Sequence, residues 1–95
     1  MSLIFEWDAK KAKVNHRKHG ISFEEASTVF GDFLSLTIPD QQHSFSENRY
    51  LTMGMSYFGK TIVVIHEEKG DNIRIISAHL ATRNEKKFYE ENKKK

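Results

Sequence analysis

Arg49, Arg74 and His79 are the side chains of this sequence that are best suited to chemistry on a phosphate. Arginine offers a planar guanidinium of fixed charge that matches phosphate oxygens, and histidine transfers protons near neutral pH. RNA can be cleaved without a metal when a base deprotonates the ribose 2′-hydroxyl, an acid protonates the leaving 5′-oxygen, and cations stabilise the pentacoordinate phosphorus. These three residues form the predicted catalytic set.

Each of these residues also has a purely structural explanation. Arg74 interrupts an otherwise apolar segment and could simply face solvent from a strand. Arg49 could pair with Glu47 or with another nearby acid. Strict alternation along the last strand would place Arg74 and His79 on opposite faces, so that a bulge, or a strand that ends at Ala78, is needed to bring them together.

Lys18, His19 and Arg83 are the predicted RNA-binding residues. Lys18 and His19 lie at the junction of the first two predicted helices, where they could instead pack locally and interact with the negative end of the first helix. His16 and His19 are three residues apart, but no third metal ligand follows at a suitable spacing, so we expect no metal site and no cofactor. The sequence has no glycine-rich phosphate loop and no nucleophile elbow.

The charges are distributed unevenly although the net charge is only +2. Residues 1–19 carry five Lys/Arg against two acids, residues 20–71 carry three against eight, and residues 72–95 carry seven against three. If the two basic ends meet in space, they form a positive surface that suits a polyanion such as RNA. The simpler interpretation is a set of solvated helix faces and a basic tail over residues 93–95.

Length and composition predict one domain over residues 1–95. The sequence contains no cysteine, so neither a disulfide nor a thiolate zinc site can stabilise it. No apolar stretch approaches the roughly 20 residues that span a bilayer, and the N-terminus lacks the apolar segment of a signal peptide. We therefore expect no membrane association and a cytoplasmic location.

Helix signals occur at three places. Asp8 is suited to cap a helix from Ala9 to about Lys18, and Gly20 is suited to end it. The segments Ser22–Glu25 and Thr82–Glu85 are capping boxes, in which a hydroxyl and a carboxylate satisfy reciprocal backbone donors. They predict helices over residues 23–30 and 83–92.

Alternation of apolar and polar residues predicts a short N-terminal strand over 3–7, with Trp7 in the core, and four later strands over 33–38, 49–56, 61–66 and 73–78. Short turns between the four later strands require antiparallel pairing. Because Ile62–Ile65 is apolar on both faces, its strand should be central. The predicted fold class is α+β, with a short N-terminal strand, two helices, a four-stranded antiparallel meander and a C-terminal helix, the helices covering one face of the sheet.

An ordered set of short motifs runs along nearly the whole chain. It begins with Phe5-Glu6-Trp7-Asp8, Asn15 and the segment 18–26. It continues at His43-Ser44, Glu47, Arg49, Gly54, Ser56, Gly59, Ile73–Ala78, Ala81-Thr82, Glu85 and Tyr89-Glu90. This pattern resembles the BrnT family, small bacterial toxins of type II toxin–antitoxin systems, and the predicted fold looks like that of RelE-type ribonuclease toxins.

The resemblance implies a metal-independent endoribonuclease that cleaves RNA and arrests growth. It also implies a BrnA-like antitoxin as partner, whose own DNA-binding domain would bring the complex to DNA only indirectly; a dimer and a heterotetramer both stay open. BrnT proteins usually carry arginine within an Ile-Ser-Ala-Arg segment, where this chain has His79. Either His79 acts as acid or base, or the site is weakened. The alternative function is a non-catalytic or weakly active antitoxin-binding module within a DNA-binding autorepressor complex.

Overall fold

The computed structural model describes residues 3–40 and 48–93. Strand β1 (Ile4–Glu6) leads into helices α1 (Ala9–His19) and α2 (Phe23–Thr28). A single 3-10 turn (Val29–Gly31) extends α2. Four strands and a third helix follow. The bounds of these later elements are β2 (Leu36–Pro39), β3 (Arg49–Met55), β4 (Thr61–Lys69), β5 (Asn72–Leu80) and α3 (Arg83–Asn92).

The sheet has five strands in the order β1-β5-β4-β3-β2. Strands β2 to β5 form the expected antiparallel meander, and β4 is the central strand as predicted. The prediction missed that β1 joins the same sheet, pairing parallel to β5 through Ile4–Asn72, Phe5–Ile73 and Glu6–Arg74. The α+β class and the three helices are confirmed, whereas the sheet is five-stranded and mixed, and the RelE-like description is not exactly matched.

The helices cover both faces of the sheet, so the expectation that they cover one face was wrong. Helices α1 and α2 cover a core centred on Phe23, Val29, Ile62, Val64 and Ala78, all completely buried or nearly so. Trp7 packs against this core as expected, with its ring edge-on to Phe23 at a centroid distance of 5.9 Å.

Side chains alternate along a strand, so Val63 and Met53 point away from the α1–α2 layer. Helix α3 packs on these side chains and therefore lies on the opposite face of the sheet. Tyr89 of α3 packs on both of them and is itself buried. Its hydroxyl donates a hydrogen bond of 2.5 Å to Asp32. We call the α3 side the lower face of the sheet and the α1–α2 side the upper face.

The helix caps explain the helix boundaries. The Asp8 carboxylate accepts from the backbone N–H groups of Lys10 and Lys11 at 2.9 and 3.0 Å, and Gly20 ends α1 with φ 73°. The predicted capping box at Thr82–Glu85 is present in full. The one predicted at Ser22–Glu25 is only half formed.

The Ser22 hydroxyl caps α2 by accepting from the Glu25 N–H at 3.0 Å. The Glu25 carboxylate does not return to the cap. It accepts instead from the hydroxyl of Ser56, 31 residues away, at 2.9 Å. A buried serine hydroxyl therefore competes successfully for this carboxylate, because an unsatisfied buried hydroxyl is costly.

The predicted strand over 33–38 begins later than expected, at Leu36. The Asp32 side chain holds a turn by accepting from the Leu34 N–H at 2.9 Å, and the Asp32 carbonyl accepts from the Ser35 N–H at 3.0 Å. This turn chemistry overrides the strand pattern. As a result Phe33 is fully exposed rather than part of the sheet.

Candidate functional site

Arg49 and Arg74 lie in one row across the lower face of the sheet. Register pairs Arg49 of β3 with Glu67 of β4, Glu67 with Arg74 of β5, and Arg74 with Glu6 of β1. The guanidinium of Arg49 is 3.8 Å from the Glu67 carboxylate, and that of Arg74 is 3.7 Å from Glu6. We call these four residues the arginine row. The two arginines are about 10 Å apart at their Cα atoms, since each strand spacing is about 4.8 Å.

The arginines of this row are only partly neutralised. Both ion pairs are long and partly exposed, with side-chain exposures of 22% for Arg49 and 39% for Arg74. Ion pairs of this kind contribute little stability and are readily exchanged for a better ligand. The Nε atom of Arg49 is buried and has no hydrogen-bond acceptor among the described residues. The row therefore presents cationic donors that an anion such as phosphate could engage.

A bulge in β5 decides that Arg74 and His79 share a face. Ile65 pairs with Ser77, but the next residue of β4, His66, pairs with Ile75, which leaves Ile76 as an extra residue. Strict alternation would have separated Arg74 from His79, and the extra residue restores a common side. Of the two devices considered from the sequence, the bulge is the one that the protein uses.

Bulge and register also set the distance between Arg74 and His79. His79 lies opposite Val63, and Arg74 lies opposite Glu67, four residues along β4. That separation corresponds to about 13 Å at a rise of about 3.3 Å per residue. The sequence-predicted catalytic set thus divides into two neighbouring parts of one face: the arginine row, and a second cluster around His79.

His79 sits where three elements meet. Its Nε2 is 3.1 Å from the Glu85 carboxylate at the start of α3, and its ring centroid is 6.1 Å from that of His19 at the end of α1. We call His19, His79 and Glu85 the histidine corner. Because the carboxylate accepts, Nε2 is the nitrogen that carries the hydrogen in this contact, and Nδ1 is left to accept or release a proton.

Glu85 is held as a carboxylate by this arrangement. Its pKa lies below the ordinary value although partial burial, the largest influence, raises it. Hydrogen bonds from the Thr82 backbone N–H, at 2.8 Å, and from His79 outweigh burial. Glu85 therefore has two tasks, since it caps α3 and fixes the orientation of the His79 ring.

The surface between the two clusters is not covered by α3. Tyr89 packs on Met53 and Val63, one row of the lower face, whereas Leu51, Ile65 and Ser77 in the next row are partly exposed. This patch connects the arginine row with the histidine corner. A single strand of nucleic acid laid across it would meet cations at one end and an imidazole at the other.

The three predicted RNA-binding residues are all exposed, but they do not form one cluster. His19 joins the histidine corner, and Lys18 lies beside it in a groove between α1 and β5. Arg83 is on the first turn of α3, two residues before Glu85. The basic ends of the chain thus approach each other at the histidine corner. His43 and Ser44 lie outside the described residues.

Sequence reasoning assigned no role in the site to Asn15 or Glu67, and it gave Glu85 only a capping role. The side-chain amide of Asn15 donates to the carbonyls of Ile21 and Ala78 at 3.1 and 2.9 Å and accepts from the Ala78 N–H at 3.1 Å. It thus takes the place of a neighbouring strand beside β5. An asparagine in the middle of a helix was the available signal, because it is a poor helix former.

The described residues contain no group of three His, Cys, Asp or Glu side chains placed to hold a metal ion. The same part of the chain has no helix long and apolar enough to cross a membrane. What the site offers is a pair of arginines flanking a carboxylate, and an imidazole held by a second carboxylate. These groups can bind an anion and can move protons.

The structure is thus a small α+β fold that carries two arginines and a histidine on one face of its sheet, side chains that are suited to binding an anionic ligand. The family model for the ribonuclease toxin BrnT of type II toxin–antitoxin systems matches residues 7–85. The chain therefore belongs to the BrnT ribonuclease toxin family.

A solved structure supports this assignment. The chain is similar to the Brucella abortus ribonuclease toxin BrnT, known from a 1.1 Å crystal structure, with 28% sequence identity and a TM-score of 0.65. The similarity covers 87% of this chain and 99% of the Brucella chain. No curated protein matches the chain.

Proposed function

We propose that this chain is the toxin of a type II toxin–antitoxin pair and cleaves RNA without a metal ion, arresting growth. The observation that carries the proposal is the arginine row, in which Arg49 and Arg74 flank Glu67 on a part of the sheet that none of the described helices covers. Membership of the BrnT ribonuclease toxin family supports the reaction class. The row supplies the charges that a pentacoordinate phosphorus needs, already fixed in place by strands.

The proposed mechanism assigns a role to each member of the row. The guanidinium groups of Arg49 and Arg74 bind the non-bridging phosphate oxygens as the transition state gains charge. We assign to the Glu67 carboxylate, which lies between them, the role of accepting the proton of the ribose 2′-hydroxyl once phosphate has displaced it from its long ion pair with Arg49. The 2′-oxygen then attacks phosphorus, the bond to the 5′-oxygen breaks, and an acid returns a proton to that oxygen.

We propose that His79, in the histidine corner on the same face of the sheet, acts as a second acid or base. BrnT relatives usually carry arginine at this position, and a histidine can supply positive charge only when protonated. Glu85 and His19 are the charged or titratable groups that face it from α3 and α1. With Nε2 bound to Glu85, the free Nδ1 exchanges protons with RNA.

Incubation of the purified chain with total RNA, with and without EDTA, tests the reaction itself. We expect cleavage that EDTA does not affect and that leaves a 2′,3′-cyclic phosphate, or the 3′-phosphate formed by its hydrolysis, and a 5′-hydroxyl, because the 2′-oxygen is the nucleophile. Cleavage abolished by the chelator would contradict the metal-free mechanism. Absence of cleavage at any concentration would favour the non-catalytic alternative.

Arg49→Ala and Arg74→Ala test the row. Each should lower the cleavage rate by about 10²–10³, the usual loss when one donor to the transition state is removed. Lys69→Ala is the matched control, since Lys69 is an exposed cation at the end of β4, the strand that lies between those of the two arginines. Thermal melting of all three variants should match the parent. Full activity in both arginine variants would show that these residues are structural.

Glu67→Gln separates the base from a simple counter-charge. The glutamine keeps the size of the side chain and removes its charge and basicity. If Glu67 is the base, cleavage falls while affinity for a non-cleavable RNA stays equal or rises, because a negative charge has been removed. If cleavage rises together with affinity, Glu67 only neutralises the arginines.

We propose that the partner is a BrnA-like antitoxin that covers the RNA-binding surface and contacts DNA through its own domain. The exposed basic residues of α1 and α3 favour an acidic antitoxin segment. Exposed aromatic side chains at Phe33, Tyr57 and Phe58 offer a competing surface. Hydrogen exchange with the antitoxin added distinguishes these surfaces. We expect protection of α1 and α3, and protection confined to the aromatic surface would reject the proposal.

The aromatic surface is also the observation that favours the alternative function. If the chain served mainly as the antitoxin-binding half of a repressor complex, binding through Phe33, Tyr57 and Phe58 would need neither the arginine row nor the histidine corner. Growth inhibition by the chain alone then decides between the two functions. A toxic chain whose toxicity disappears in the Arg74→Ala variant supports the nuclease.

A further inference from the structure

Helix α1 carries a high concentration of basic residues. Its eleven residues include five lysines and arginines and two histidines, and no acid. None of the five lysine and arginine side chains forms an ion pair within the described parts of the chain. Like charges three or four residues apart, such as Lys13 and Arg17, destabilise a helix. The Asp8 carboxylate at the start of the helix interacts electrostatically with Lys11.

One side of α1 faces a groove rather than bulk solvent. The groove has a volume of about 320 Å³ and lies between α1 and the bulged part of β5. Its cations are Lys10, Lys11 and Lys18, the imidazole of His19 lines it as well, and Val14 and Ile76 form its apolar floor. We call it the α1 groove.

The groove follows from the sheet topology. Strand β1 pairs with Asn72–Arg74, and no other described strand continues that pairing along the rest of β5. Helix α1 is hydrogen-bonded to this edge where Asn15 binds the backbone of Ala78. Beside that contact the extra residue Ile76 lines the groove.

The α1 groove leads directly into the candidate active site. His19 lines the groove, and its ring centroid is 6.1 Å from that of His79. Beyond His19, the cations of the groove extend back along the helix from Lys18 to Lys11. These two residues are seven positions apart, which is about 10 Å at 1.5 Å per residue. A chain leaving the histidine corner therefore meets a row of positive charges above an apolar floor.

We propose that the α1 groove binds the nucleotides of single-stranded RNA that flank the cleavage site; this rests on the proposed nuclease function. Single-strand sites in proteins combine cations that follow the phosphates with apolar surface against which bases and riboses pack. The groove has both, and it is continuous with His79. The side chain of Val14, 57% exposed between cations, is the surface that a base covers.

The test measures binding separately from cleavage. The probe is a short fluorescent single-stranded RNA with 2′-O-methyl riboses, which lacks the nucleophile and stays intact, and its affinity is measured by anisotropy at several salt concentrations. Lys11→Ala together with Lys18→Ala removes two groove cations. Each lost phosphate contact lowers the salt slope by about 0.7 and the affinity by about fivefold near 0.1 M salt, so that the double variant should bind about 25-fold more weakly.

Lys13→Ala together with Arg17→Ala is the matched control. It removes the same charge from the same helix, but these two residues line a separate hollow with His16. Charges outside the contact are screened over about 8–10 Å, so the control should stay within about twofold of the parent. Val14→Glu, which keeps the cations and places a carboxylate on the floor, should weaken binding as well.

Four results would overturn the inference. The two double variants could weaken RNA binding equally, which would indicate diffuse attraction by the helix. The groove variant could bind RNA like the parent. The parent could fail to bind the probe. The groove variant could lose the antitoxin but keep RNA, which would assign the groove to the protein partner.

The same measurements separate this inference from the nuclease proposal. If the chain binds the probe through the groove but never cleaves total RNA, the groove stands and the nuclease proposal fails. If the chain cleaves RNA, and the groove variant cleaves and binds RNA as the parent does, the nuclease proposal stands and the groove proposal fails. Thermal melting of every variant confirms that the loss of binding does not come from unfolding.

Discussion

Replacing Asn15 with alanine tests the contact that fastens α1 to the sheet. Asn15 is buried and makes three hydrogen bonds to backbone groups, two with Ala78 and one with Ile21. At about 1 kcal/mol of net stabilisation each, their loss costs about 3 kcal/mol. Alanine is the better helix former by about 0.5 kcal/mol, so the expected net loss in the free energy of unfolding is about 2.5 kcal/mol.

This loss of unfolding free energy should be measurable as a lower melting temperature. For a domain of this size, each 1 kcal/mol shifts Tm by roughly 4–8 °C, so Asn15→Ala should melt roughly 10–20 °C below the parent. Hydrogen exchange should show faster exchange of the Ala78 amide in particular, because its acceptor is gone. Circular dichroism melts and urea titrations provide the stability, and amide exchange provides the location.

Two further variants make the result decisive. Lys13→Ala, at an exposed position of the same helix, should change stability by less than about 0.5 kcal/mol. Asn15→Asp keeps the acceptor for the Ala78 N–H but loses both donations, and it sets a carboxylate against two carbonyl oxygens. It should be less stable than Asn15→Ala. If Asn15→Ala melts together with Lys13→Ala, the contact does not fasten the helix.

Three other predictions concern stability and chemistry. Burial lowers the pKa of His66 to about 4, so the imidazole stays neutral in the folded protein at pH values where the unfolded chain already binds a proton. The free energy of unfolding should therefore fall by about 3 kcal/mol as pH drops from about 6.5 to about 4. The His66→Gln variant should show a smaller fall when urea denaturation is repeated across this pH range. Gly54→Ala would place its Cβ 2.8 Å from the side chain of buried Val29, so the free energy of unfolding should fall by about 1–3 kcal/mol. Gly31→Ala has open space around its Cβ and should leave the free energy of unfolding unchanged. Equal melting curves of the two variants would refute this. His79→Arg should flatten the pH profile of cleavage if His79 acts as acid or base; if the position needs only positive charge, His79→Arg should raise cleavage at neutral pH and His79→Ala should lower it. Superimposable rate profiles of these two variants and the parent from about pH 5 to about pH 9 would show that position 79 has no chemical role.

The sequence by itself determined the local structure, because local structure depends on groups a few residues apart. Asp8 and Gly20 fix the ends of α1, and the reciprocal bonds of Thr82 and Glu85 fix the start of α3. The ordered motifs were enough to identify the family, which the family model confirms over residues 7–85. They also supplied Arg49, Arg74 and His79 as candidates, whose roles stay predictions.

Only the tertiary structure decided how these residues are grouped, because grouping depends on partners distant in sequence. The extra residue Ile76 turns Arg74 and His79 to one face, a choice that alternation alone could not make. Glu25 leaves its local cap for Ser56, 31 residues away, since a buried hydroxyl requires a partner. Asn15 finds its partner in Ala78, 63 residues away, and so places α1 and its cations beside the edge of β5. Such contacts form where packing brings polar groups together out of water, and their sequence separation gives no local pattern that could reveal them.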